Sequence, residues 1–193
     1  MEFKEAATDM PKFLLVLSLL CATAAGYAAT PGGQPAWKSK MAAQLPLLGH
    51  RNWILVVDSA YPLQSSPGVE TIETNASQIE VVRAVLDAVH HSAHVRPLIY
   101  MDSELSFVPD EDAPGASAYR AQIADLLKNS EITRQPHESL ISLVGEAGKT
   151  FHVLVLKTTM TIPYSSVFIR LDCRYWSAEA EQRMRARMNA AKP

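Results

Sequence analysis

The chain reads as an α/β layered domain. Two observations point there: helical and strand-like apolar patterns alternate along it, and 193 residues at 48% hydrophobic content can bury one sizeable core. A formal net charge of -2 and a pI near 6.3 set up no global field for nucleic acid or an anionic membrane surface. A small neutral partner stays open.

Taken in order, "FLLVLSLLCATAAGYAA" within residues 1–29 has an apolar core followed by small residues, the pattern of an export signal cleaved near 24–29. Its apolar part is short of the ~20 residues that span a bilayer, so no membrane span is expected after cleavage. Three acids and one lysine in residues 1–9 have the wrong sign for such a signal, and Met10 followed by Lys12 is a better start. Cys21 has Leu20 before it, where a lipidated cysteine wants a small residue. Cleavage leaves Cys173 as the one thiol and no internal disulfide; in an alternating apolar run it is expected to act as a small packing residue.

Residues 30–40, "TPGGQPAWKSK", read as a linker, 41–176 as the folded domain and 177–193 as a C-terminal helix. A short helix is expected to end at Gly49, which places His50 at a helix-to-strand junction. Residues 53–57 are a continuous apolar strand. The 58–76 stretch, rich in Pro, Ser and Gly, reads as a long functional loop. In "ASQIEVVRAVLDAVHH", Ile79, Val82, Val85, Leu86 and Val89 recur at helical spacing. "RPLIYMDS" is a short strand, and "PGASAYRAQIADLLKNS" and "HESLISLVGEAGKT" are two further helices. "FHVLVLKTTM" and "SVFIRLDCRYW" are strands. The tail has Ser177 as N-cap, acids in its first turn and Arg183, Arg185 and Arg187 later, an order that suits the helix dipole.

In open α/β sheets, ligands gather where strands end. His50 and Asp58 bracket one strand and lie roughly 25 Å apart if it is straight. Either one of them is structural, or a site combines two subunits, or a bend shortens the path.

"LGHRNWILVVDSAYP" resembles the opening motif of the ribose pyranase and fucose mutarotase family (RbsD/FucU-like), in which Gly-His precedes a strand ending in Asp-Ala-x-x-Pro. "PYSSVFIRLDC" resembles that family's Pro-Tyr-x-Asn before an apolar strand: Tyr164 matches and Ser166 stands where the family has Asn. The resemblance covers about 44–173. It implies a three-layer RbsD-like fold, a mixed β-sheet flanked by helices, assembled as a homo-oligomeric ring, commonly a decamer, with sites between subunits. It further implies a free monosaccharide as substrate and no metal or nucleotide cofactor. His50 is then the acid/base that moves protons at the anomeric hydroxyl and ring oxygen. Asp58, Tyr164, Ser166 and His137 are the substrate contacts. Asn52 stands where the family usually has an acid, two residues after the histidine.

Other groups are weaker. His90, His91 and His94 form H-H-x-x-H at a helix end, without a second ligand cluster. His152 alternates within a β run. Asp102, Glu104, Asp110, Glu111 and Asp112 lack the spacing and glycine of a calcium loop. Three functions fit these residues: an exported monosaccharide mutarotase or pyranase-like isomerase, a non-catalytic sugar-binding protein on the same fold, and a ring-forming structural or interaction protein.

Overall fold

The computed structural model describes residues 35–191, so the expected export signal and the start at Met10 lie outside the described residues. Among those residues the elements run α1 (Ala36–Gln44), β1 (Trp53–Val57), β2 (Val69–Glu73), α2 (Gln78–His91), β3 (Val95–Asp102), α3 (Ala116–Leu126), β4 (Ile132–Gln135), α4 (His137–Gly148), β5 (Val153–Lys157), β6 (Val167–Cys173) and α5 (Ala178–Ala190). The six strands form one mixed sheet ordered β2-β5-β1-β6-β3-β4. β6 is antiparallel to β1 and β3, whereas β5 pairs in parallel with β1 and β2, and β3 with β4. The C-terminal ends of β1, β3, β4 and β5 therefore share an upper rim with the start of β6. The start of β1 and β3 share a lower rim with the end of β6.

β1 is apolar throughout because both of its faces are covered. Its pleat sends Ile54 and Val56 into a core with Val81 and Val85 of α2 and Tyr119 and Ile123 of α3. Trp53, Leu55 and Val57 point the other way, against Leu140 and Val144 of α4. Helices on both faces of a mixed sheet make the three layers the sequence predicts. α5 buries no residue.

Three features depart from the sequence reading. Helix α1 starts within the expected 30–40 linker, at Ala36, because Trp37 and Met41 lie about one helical turn apart and are only 3% and 5% exposed. The 58–76 stretch contains β2, and "ITRQ" forms β4. Both are outer strands with a single neighbour, so few of their positions must be apolar and the β pattern in "VETIE" and "ITRQ" is weak. The entry to β2 is tight: a Cβ at Gly68 would lie 2.5 Å from the Phe151 carbonyl oxygen and 2.6 Å from that of Gly148.

A buried polar knot fixes the upper rim. The Gln78 amide donates to the carbonyls of Val56 (2.8 Å) and Ser165 (3.0 Å), and its oxygen accepts the Thr158 hydroxyl (2.7 Å). The Tyr119 hydroxyl donates to the same Ser165 carbonyl at 2.6 Å. These bonds tie α2 and α3 to β1 and to the strand ends that carry Asp58 and Ser166.

Candidate functional site

The antiparallel insertion of β6 brings distant parts of the chain to the upper rim. Asp58 follows β1, Asp102 ends β3, His137 opens α4 just after β4, and Tyr164 and Ser166 lead into β6. Asp58, His137 and Tyr164 line one cavity of about 520 Å³, walled also by Tyr61, Pro62 and Ile141. That size lies within the ~300–1,000 Å³ range of small-molecule sites.

Asp58 is held from two sides. Its Oδ1 accepts the Ala60 backbone N–H at 2.9 Å, an Asx-turn, and its Oδ2 accepts the Ser166 hydroxyl at 3.2 Å. Ser166 is only 2% exposed, so it sets Asp58 from behind and does not line the cavity. Tyr164 holds a left-handed backbone, φ 58°, which a residue with a Cβ adopts at a cost of roughly 1–2 kcal/mol. Such strain collects at functional positions. The Tyr164 ring meets the His137 ring edge-on, centroids 5.3 Å apart.

His137 is oriented by two acids. Its backbone N–H donates to Glu104 Oε1 at 2.9 Å, and its ring Nδ1 lies 3.1 Å from Asp102 Oδ1. The backbone bond from His137 is the main reason the Glu104 carboxyl sits below its usual value. The Asp102 side chain is wholly buried, and its Oδ2 has no partner among the described residues. Burial pushes its carboxyl up to about 6; His137 pulls it back, and Glu104 and Asp58 add to the rise. Burial, with Asp102 and Asp58 nearby, likewise lifts the Tyr61 phenol to about 12. Above pH 6 the ionised Asp102 accepts the Nδ1–H, which puts the free lone pair of a neutral His137 on Nε2. The rim thus places an imidazole, phenols and a carboxylate around one cavity.

His50 is elsewhere. It precedes β1 at the lower rim, opposite Asp58, so one chain does not bring the two together. Its Nδ1 lies 2.9 Å from Asp172 Oδ1. His94 and His152 serve the packing of this lower end: His94 Nε2 meets the Leu48 carbonyl at 2.9 Å and His152 Nε2 the Gln44 side chain at 3.2 Å.

Asp102 and Tyr61 are the site residues that sequence reasoning does not select. Asp102 ends a strand whose C-terminus faces the rim, and that position is the one sequence signal available for it. No group of three or more His, Cys, Asp or Glu side chains placed to hold a metal ion occurs among the described residues.

No protein-family profile and no curated protein sequence matches the chain. Solved structures do. RbsD of Bacillus subtilis complexed with D-ribose is 14% identical, with TM-score 0.49 over 74% of this chain and 95% of that one. The fucose mutarotase of Streptococcus pneumoniae in complex with L-fucose is 20% identical, TM-score 0.46, over 68% and 89%. FucU of Bifidobacterium longum is 14% identical, TM-score 0.47, over 68% and 90%.

Proposed function

We propose that the protein interconverts the anomers or ring forms of a free monosaccharide, and that it does so after export. The observation that supports this reading is convergence: Asp58, His137 and Tyr164 line one cavity at one rim, and Ser166, 108 residues from Asp58, holds Asp58 from behind. Opening a hemiacetal requires a base to take the anomeric hydroxyl proton while an acid delivers one to the ring oxygen as the C1–O5 bond breaks. Closure reverses the transfers. Asp58 receives sugar hydroxyls, and the Tyr164 ring, 38% exposed, offers an apolar face to a pyranose. His137, held by Asp102, supplies one proton-transfer group inside the cavity. His50 supplies the second to the cavity of an adjacent copy in a ring oligomer.

A sugar-binding protein without catalysis is the second reading, favoured by the placement of His50 outside the cavity. Saturation-transfer NMR of anomer exchange across a panel of pentoses and hexoses separates the two. Acceleration that disappears in His50→Ala and in His137→Ala supports the isomerase. Loss in His137→Ala alone confines the chemistry to the cavity of one chain. Binding without acceleration supports the second reading, and no binding of any sugar sinks both.

A further inference from the structure

The lower rim carries a three-residue device of His50, Asp172 and Arg96, brought together by the fold. Arg96 and Asp172 face each other directly across β3 and β6. Arg96 Nε and Nη2 both donate to Asp172 Oδ2, at 2.8 and 2.6 Å. That leaves Oδ1 for His50 Nδ1, 2.9 Å away. The turn carrying His50 is pinned to the same strand: the Arg51 N–H donates to the Leu171 carbonyl at 3.0 Å and the Leu171 N–H to the Asn52 carbonyl at 2.8 Å. Asn52 itself closes the turn, accepting the Gly49 N–H on its side chain at 2.7 Å and donating to the His152 carbonyl at 3.1 Å. Arg51 takes the left-handed conformation, φ 77°, that the turn requires.

From this geometry we infer that Asp172, clamped by Arg96, is the positioning residue that makes His50 a proton-transfer group. A carboxylate only accepts hydrogen bonds, so the imidazole nitrogen facing Asp172 carries the proton and the lone pair of the neutral ring sits on Nε2. No hydrogen bond among the described residues engages Nε2. His50 lines a cavity of about 610 Å³ shared with Asp172, Arg96, Tyr175 and Trp176, so a ligand-sized space adjoins the ring. The indole wall of that cavity is fixed by its own bond, Trp176 Nε1 donating to Glu181 at 2.8 Å. Burial raises the Asp172 carboxyl, and its bonds from Arg96, the Cys173 backbone and His50, with the Arg96 charge, bring it below its usual value. The carboxylate is therefore ionised at neutral pH.

The inference rests on the reading of His50 as a proton-transfer group, and its test keeps the two apart. Ring ¹⁵N shifts of His50 are measured in the full chain at pH 8, beside anomer exchange for the most responsive sugar. The wild type is expected to show the Nδ1–H tautomer. Asp172→Asn, whose amide can donate to Nδ1, is expected to shift the ring toward Nε2–H and to lower kcat about tenfold or more with KM within twofold. Asp172→Glu should restore part of the rate, and Arg96→Lys, which loses the fork, should fall between. An Asp172→Asn protein that is folded by thermal melt and keeps both the wild-type tautomer and the wild-type rate overturns the inference. A wild type that accelerates no sugar removes the catalytic reading instead, and the tautomer shift alone then decides whether Asp172 holds the ring.

Discussion

At the scale of single residues, Asp102 makes the most specific demand. Its carboxyl is raised, so between about pH 4 and 6 the folded chain holds a proton that the unfolded chain has released. Stability contributed by that site falls by an amount on the order of 3 kcal/mol as pH rises through this window and is constant above it. Glu104 and Asp172, whose carboxyls are lowered, act with opposite sign: their contribution is present above about pH 4.5 and is lost in more acidic solution. Urea unfolding of wild type and Asp102→Asn at pH 4.5 and pH 7 separates the effects. The wild type should lose stability relative to the variant between these values, and a constant difference contradicts the assignment. The same residues show what sequence reading can and cannot reach. His50, Asp58, His137 and Tyr164 stand out because their types and positions suit chemistry at strand and helix ends. Asp102 and Asp172 do not stand out, since what matters is the partner each meets in the fold, 35 residues away for Asp102 and 122 for Asp172.

At the scale of elements, capping separates helices that hold the fold from one that does not. Ser77 accepts the Glu80 N–H at 3.3 Å at the start of α2, whose Val81, Val82, Val85 and Val89 are fully buried. Ser77→Ala should lower global stability by about 1 kcal/mol. Ser177 makes the equivalent bond to Ala180 at 3.1 Å, but α5 buries nothing. Ser177→Ala should reduce helical circular dichroism with an unchanged unfolding midpoint, and equal effects of the two variants contradict this division. The Gln78 knot is the more sensitive element. Gln78→Leu removes one hydrogen bond each from the buried Val56 and Ser165 carbonyls and the Thr158 hydroxyl, although Ser165 keeps the Tyr119 hydroxyl and Thr158 keeps the Val57 carbonyl, with an expected loss of about 1–3 kcal/mol by denaturant titration. Loss below 1 kcal/mol shows that the knot does not fix the rim. Helices α2 to α5 and strands β1, β3, β5 and β6 are legible in the sequence because each carries an apolar period or run long enough to register. β2 and β4 are not, because an outer strand of four or five residues with few buried positions needs little apolar pattern.

At the scale of the whole molecule, the reversed strand β6 decides what can meet. It gathers Asp58, Asp102, His137 and Tyr164 at the upper rim and sets His50 with Asp172 and Arg96 at the lower one. A proton-transfer pair made of His50 and His137 therefore requires two chains, which a sequence motif bracketing β1 implies only through the length of that strand. Solution mass by size exclusion with light scattering should give a multiple of the chain mass, and a stable monomer removes the shared site. The most direct test is the anomer-exchange rate in a co-refolded equal mixture of His50→Ala and His137→Ala chains. Each variant alone should be inactive. Random assembly should restore about a quarter of the wild-type rate, the share of interfaces that receive both histidines. A mixture no faster than the separate variants contradicts a site built from both rims.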